Sequence, residues 1–142
     1  MIKYELVECF PSEQIDQLAK LLTGFKRDSF EAQFSYRKDI LCCFAWDDNQ
    51  LVGSKIGFQE RPGYFESATG EVSEKYRNQG IAGKLLEMQH EWCKEAGYIY
   101  INTYTSGNNA PMLILNIKAG FEICGFKVDR HEIYNVVLQK KL

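Results

Sequence analysis

No stretch of this sequence is apolar for long enough to cross a bilayer. The longest run, Ile40 to Trp46, falls far short of the roughly 20 residues that a spanning helix needs. The first ten residues, MIKYELVECF, alternate polar and apolar positions and carry no hydrophobic signal core, so a cytoplasmic location is expected and no membrane partner. Basic charge is scarce too. Seventeen Lys and Arg stand against 19 Asp and Glu, a net charge of −2, which argues against a nucleic-acid partner held through its phosphates. There is no Cys-x-x-Cys pair, and the five cysteines (Cys9, Cys42, Cys43, Cys93, Cys124) are an odd number without a nearby histidine cluster. Neither a metal site nor a disulfide framework is expected. Cys42 and Cys43 fall in an apolar run, where cysteine serves as a small hydrophobe. The two histidines, His90 and His131, have no serine or cysteine at suggestive spacing, so nothing supports a hydrolase triad. His90 is expected on the surface or in packing, and His131 in a turn.

What is present suits one globular domain over residues 1–142, with 45% hydrophobic and 25% charged residues and no repeat, low-complexity tract or linker. Alternation predicts strands over Ile2 to Val7, Asp39 to Trp46, Leu51 to Gln59, Tyr64 to Ser73 and Tyr98 to Thr103, and two closing strands over Phe121 to Val128 and Glu132 to Leu138. Helices are predicted after Pro11 with Ser12 as N-cap, over about Arg27 to Tyr36, from Ile81 to a stop at Gly97, and over Ala110 to Ala119 with Gly120 as its stop. The order β α α β β β α β α β β is an α/β (α+β) arrangement: a mixed central sheet of about seven strands flanked by about four helices.

One stretch between strand and helix, RNQGIAGKLLE at positions 77–87, has the physics of an anion nest, where converging amides meet the positive end of a helix dipole. A dinucleotide fingerprint starting at Gly80 would need glycines where Ala82 and Leu85 stand. A P-loop ending in Gly83-Lys84 would need a glycine at Asn78 and a hydroxyl residue at Leu85. What survives is Arg77-x-x-Gly80-x-Ala82. Arg77 opposes the helix dipole unless an anion sits there, which favours a phosphate role. Lys84, one turn further on, fits either a phosphate contact or plain exposure.

With that loop, the chain resembles the GCN5-related N-acetyltransferase superfamily, whose loop reads Arg/Gln-x-x-Gly-x-Gly/Ala. Residues Val72 to Ala82 look like its fourth strand, turn and third-helix start. Asn109, Met112, Leu113, Leu115, Lys118 and Gly120-Phe121 look like its Asn-containing fourth helix and closing Gly-Phe. The resemblance covers essentially the whole chain. It implies acetyl-CoA as co-substrate, no metal, and a sheet splayed between its fourth and fifth strands. The amides of Arg77, Asn78, Gln79, Gly80, Ile81, Ala82, Gly83 and Lys84 would hold the CoA pyrophosphate. Val72 and Ser73 would pair with pantetheine as an added strand. Asn109 would lie near the pantetheine arm. A backbone N–H of the fourth strand would polarise the thioester carbonyl.

The implied reaction moves acetyl directly from CoA to a primary amine of a small molecule or protein, which calls for a general base or a water chain. Glu66 stands at the position of the catalytic glutamate in the histone-acetyltransferase branch. Glu71, nearer the proposed thioester site but of opposite strand parity to Glu66 and Val72, is the reserve candidate. Many relatives carry a tyrosine in the fourth helix that protonates the departing sulfur. Asn116 stands there instead and can hydrogen-bond the sulfur without acting as an acid. Tyr104, at the end of the fifth strand, is a substitute. The acceptor pocket would be built in the aromatic-rich N-terminal half, with Arg61-Pro62-Gly63-Tyr64 as an acceptor-side loop. The resemblance allows a homodimer. The alternative reading, favoured by Asn116, is a non-catalytic acyl-CoA-binding or sensing module.

Overall fold

The computed structural model describes residues 1–129 and 131–142. Eleven elements run in the expected order: β1 (Ile2–Val7), α1 (Ile15–Leu21), α2 (Arg27–Phe34), β2 (Leu41–Asp47), β3 (Gln50–Arg61), β4 (Tyr64–Val72), α3 (Ile81–Glu95), β5 (Tyr100–Ser106), α4 (Ala110–Lys118), β6 (Glu122–Val128) and β7 (Tyr134–Lys141). The strands form one seven-stranded sheet in the order β1-β2-β3-β4-β5-β7-β6. All neighbours are antiparallel except β4 and β5. That one parallel contact exists because α3 carries the chain back across the sheet, as a crossover between parallel strands requires. Among the described residues no helix is long and apolar enough to cross a membrane.

The core has two halves, one on each face of the sheet. Ile15 and Leu18 of α1 and Phe30 and Phe34 of α2 pack on Cys42, Phe44, Ile56 and Phe58. A run of aromatic contacts, Phe25 to Phe30 to Phe34 to Phe58, ties α2 down with ring centroids 4.6 to 5.8 Å apart. On the other face Ile81, Leu85, Leu86 and Cys93 of α3 pack on Leu41, Cys43, Ala45 and Phe65. The stripe that made α3 legible in the sequence is therefore its buried side. Gly97 takes φ +90° and Gly120 φ +98°, the left-handed geometry that ends α3 and α4.

Several boundaries differ from expectation by a few residues, and three of them have a clear physical reason. Ser12 makes no side-chain cap: it opens a 3-10 turn, Ser12–Gln14, and α1 starts only at Ile15. The amides of Ser12 and Gln14 are met by the carbonyls of Phe10 and Pro11, so the tight turn after Pro11 removes the need for a capping hydroxyl. Tyr98 is not in β5; its ring is buried against α3 and its hydroxyl donates to Asp39. The last strand runs to Lys141, since β7 lies between β5 and β6 and pairs with both.

Candidate active site

β4 and β5 stay paired for only four residues each, from Tyr64↔Tyr100 to Ser67↔Thr103. Beyond that point β4 runs on to Val72 against β3 alone, and β5 runs on to Ser106 against β7 alone. The sheet opens there into a V. A cleft of about 210 Å³ fills it, walled by Ser67 to Gly70 of β4, Thr103 to Ser106 of β5, Asn109, Met112 and Asn116 of the α4 region, and Lys55 of β3.

A β-bulge marks the apex. Ile56 pairs with Thr69 while the next residue, Gly57, pairs with Ser67, so Ala68 has no partner on β3. The extra residue bends β4 away from β5. Gly57 is what allows it: a Cβ there would lie 2.3 Å from the Phe65 ring and 2.4 Å from the Glu66 carbonyl oxygen. The bulge also overturns the parity expected for the two glutamates. Glu66 pairs with Phe58 and Glu71 with Ser54, positions of one parity on β3, so both carboxylates face the α1–α2 side. Val72, opposite Gly53, faces α3.

The two glutamates differ in their surroundings. Glu71 accepts from the Thr23 amide at 2.8 Å and the Thr23 hydroxyl at 2.6 Å, tying the end of β4 to the loop between α1 and α2. Glu66 stands at the closed end of the V, paired with Asn102 across β4 and β5. Burial raises its pKa above the usual carboxylate range, and the nearby Glu60 carboxylate adds to the rise against the pull of Arg37 and Lys127. Glu60 accepts from the Tyr104 hydroxyl at 2.6 Å and from Asn102 Nδ2 at 2.7 Å. Lys127 lies over the Tyr104 ring, 3.9 Å from its centroid. Burial, then the bond to Glu60, push Tyr104 well above the ordinary phenol range, so it holds its proton. No sequence motif pointed to Glu60, whose partner Tyr104 is 44 residues away.

At the other end of β4 lies the turn into α3. Asn78 and Gly80 have φ of +62° and +80°, so the chain turns twice through left-handed geometry before α3. No side chain caps α3, and its first internal bond runs from the Lys84 amide to the Gly80 carbonyl at 3.1 Å. The amides of Ile81, Ala82 and Gly83 therefore lie ahead of any intrahelical acceptor. Ile81 is buried and anchors the turn, whereas Arg77 to Gly80 and Ala82 to Lys84 are exposed. Arg77 Nε donates to the Val72 carbonyl at 3.1 Å, folding the guanidinium back onto the end of β4. A Cβ on Gly83 would meet nothing within 4 Å, so no protein contact accounts for a glycine inside a helix, where it costs about 1 kcal/mol against alanine.

α4 supplies the remaining wall. Asn109 accepts from the Met112 amide at 3.3 Å and so caps α4 at the mouth of the cleft. Asn116 is buried, with Nδ2 donating to Thr105 Oγ1 at 3.3 Å. A larger groove of about 800 Å³ lies between α1, the β2–β3 turn and the end of β4. Its lining sets Asp47, Asp48, Glu71 and Glu74 against Lys20 and Arg77, a poor surface for pyrophosphate. Val72, Ser73 and Arg77 line this groove and not the smaller cleft.

Other residues singled out in the sequence take structural places. Cys42, Cys43 and Cys93 are buried free thiols. His90 is buried in α3 with Nδ1 3.2 Å from Lys140 Nζ, and burial lowers its pKa to about 3. Arg61 lies over the Tyr64 ring at 3.9 Å in the β3–β4 turn. Among the described residues no group of three or more His, Cys, Asp or Glu is placed to hold a metal.

Comparisons with known proteins agree with this geometry. The chain superposes on the IAA acetyltransferase of Bacillus cereus with a TM-score of 0.80, 21% identity and all of both chains covered. An acetyltransferase of Bacillus subtilis solved in complex with CoA gives 0.80 at 24% identity, over 100% of this chain and 99% of that one. The ribosomal-protein-S18-alanine N-acetyltransferase of Escherichia coli gives 0.81 at 11% identity, over 98% and 94%. No curated protein sequence matches the chain. The profile of the acetyltransferase (GNAT) family matches residues 3–121, from β1 through the end of α4. The chain belongs to the acetyltransferase (GNAT) family.

Proposed function

We propose that this acetyltransferase binds acetyl-CoA along the open edge of β4 and transfers its acetyl group to a primary amine approaching from the α1–α2 face. The observation that carries the reading is the V between β4 and β5, with a bulge at its apex and an uncapped helix N-terminus at the far end of β4. The amides of residues 78–83 hold the pyrophosphate, those of Arg77 and Lys84 being bonded to the Glu74 and Gly80 carbonyls, and the Arg77 side chain swings from the Val72 carbonyl onto it. The β4 edge from Ala68 to Ser73, unpaired by β5, pairs with pantetheine, and an amide next to the bulge polarises the thioester carbonyl, worth about 3 kcal/mol of transition-state stabilisation. Asn109 and Asn116 flank the arm from the α4 side.

Glu66 is the base. It stands at the apex on the acceptor face, and burial with the Glu60 charge raises its pKa, making it a stronger base toward an amine proton. Glu71, held twice by Thr23, positions the α1–α2 loop instead. A homodimer would find an apolar face on the outer strand β6, where Ile123, Phe126 and Val128 are exposed; sedimentation tests it.

Mass spectrometry of an amine panel incubated with acetyl-CoA tests the function: polyamines, amino acids, aminoglycosides, and peptides with free N-termini, one beginning with alanine because a structural relative is named for it. Acetylation of any member supports the transferase. Tight CoA binding with no product from the panel favours a sensing module, the reading that Asn116 supports by lacking an acidic proton.

A further inference from the structure

Lys55 is a charged side chain in a strand interior, and it lies on the α3 side of the sheet. Its cross-strand partner on β2 is Cys43, in the α3 core, and two residues before it Gly53 lies against Ile81 and Leu85 of α3. Its partner on β4 is Gly70. A Cβ at Gly70 would lie 3.6 Å from Lys55 Cγ and 3.6 Å from Nζ, ordinary van der Waals contact, so the Lys55 side chain lies along Gly70 with its ammonium against β4 at the cleft. Lys55 then lines the cleft together with Asn116.

The ammonium has no counterion. Among the described residues no carboxylate lies within ion-pair distance of it, and no hydrogen bond from Nζ is made. The titratable groups within electrostatic reach are the Cys43 thiol on β2 and the His90 imidazole on α3. Burial keeps both uncharged near neutral pH, raising Cys43 to about 12 and lowering His90 to about 3. The cleft walls of β4, β5 and α4 add no charged side chain, and the hydroxyl of Tyr104 is held by Glu60. A half-buried cation without a partner carries part of the cost of desolvation, and the side that would supply an anion during turnover is the departing CoA sulfur.

We propose that Lys55 is the catalytic group that receives the leaving thiolate, doing from β3 what Asn116 on α4 cannot. This inference rests on the acetyl-transfer reading above. The bulge separates the two halves of the reaction: Glu66 faces the acceptor side, Lys55 and Gly70 the α3 side. The amine nitrogen bonds to the acetyl carbon and its proton passes to Glu66. The C–S bond breaks with its electron pair on sulfur. Lys55 gives an Nζ proton to that sulfur, leaving CoA as a thiol and a neutral lysine that regains a proton from solvent. Burial lowers the Lys55 pKa from its ordinary value toward that of a thiol, which favours passage of the proton from the ammonium to the sulfur.

Calorimetric titration of CoA and desulfo-CoA, the analogue lacking the sulfur, tests this without an acceptor. The wild-type preference for CoA over desulfo-CoA is expected to grow about tenfold between about pH 6 and about pH 8, as the thiol can be held as thiolate against the ammonium. Lys55→Met is expected to bind both ligands with a small, pH-independent preference; should it not fold, Lys55→Gln carries the same test. An unchanged, pH-dependent preference in the variant overturns the proposal. Failure of the wild type to bind either ligand overturns the CoA reading beneath it as well. Lys55→Arg, which keeps the charge but does not release a proton, is expected to retain the CoA preference and lose turnover; wild-type turnover in that variant overturns proton donation.

Discussion

The Tyr104 hydroxyl donates to Glu60 at 2.6 Å, and Asn102 occupies the other Glu60 oxygen at 2.7 Å, so of the two carboxylates at the apex only Glu66 is left to meet an amine. A base acts only when deprotonated, so the acid limb of kcat/KM should rise through the raised Glu66 pKa. Glu66→Gln is expected to lower kcat/KM by about 100-fold or more and to flatten that limb. Glu60→Gln removes a like charge that helps hold Glu66 up, so its limb should move to lower pH. The stability sign follows. A carboxyl with a raised folded-state pKa favours folding when protonated, and that advantage is lost as pH rises from the unfolded value through the folded one. Glu66→Gln should therefore melt above wild type at neutral pH. An unchanged pH–rate profile in Glu66→Gln assigns the base elsewhere.

Glu71 should answer the same test differently. Its two bonds from Thr23 hold the loop between α1 and α2 against β4, at an exposed site. Glu71→Gln is expected to cost about 1 kcal/mol of stability and to raise KM for the acceptor, with the acid limb of the rate profile left in place. Loss of that limb in Glu71→Gln, with Glu66→Gln unaffected, would exchange their roles.

Gly83 separates binding from folding. Its Cβ would meet nothing, so Gly83→Ala should stabilise α3 by about 1 kcal/mol through helix propensity alone. The same methyl would stand over the nest where the pyrophosphate approaches the amides, and CoA affinity is expected to fall about tenfold or more. A higher melting temperature with weaker CoA binding is the expected pair. A variant that gains stability and binds CoA as before would move the pyrophosphate away from the start of α3.

How much of this could be read beforehand depended on whether the signal was local. The nest was legible because Arg77, Gly80 and Ala82 lie within six residues, and the left-handed turn at Gly80 needs the residue type that stands there. The stripe of α3 and the stops at Gly97 and Gly120 were legible for the same reason. The face of Glu71 was not: alternation counts positions along one strand, and the unpaired Ala68 shifts the count by one in a way only the register against β3 displays. Lys55 was invisible on the same ground. Its meaning comes from the cleft it lines beside β4, β5 and α4, and a lysine in an otherwise apolar strand carries no mark of where its amine ends. Glu60 acquired its role through Tyr104 and Asn102 on β5.

Gly57 is where folding and catalysis meet. Its absent side chain lets the Phe65 ring and the Glu66 carbonyl come within 2.3 and 2.4 Å of the position a Cβ would take, and backbone cannot yield as a flexible side chain can. Gly57→Ala must therefore push β3 from β4 at the one place where Ala68 is left over. Overpacking of this kind costs about 2 kcal/mol, so the melting temperature should fall clearly. The register beyond Ala68 would be disturbed with it, turning Glu66 or the β4 edge away from the V. Activity measured well below the melting transition should then fall by more than the loss of folded protein explains. CoA affinity at the nest, a further turn of chain away at Gly80, should fall far less. If Gly57→Ala lost affinity and turnover in equal proportion, the bulge would be a support for the nest and not the device that aims Glu66.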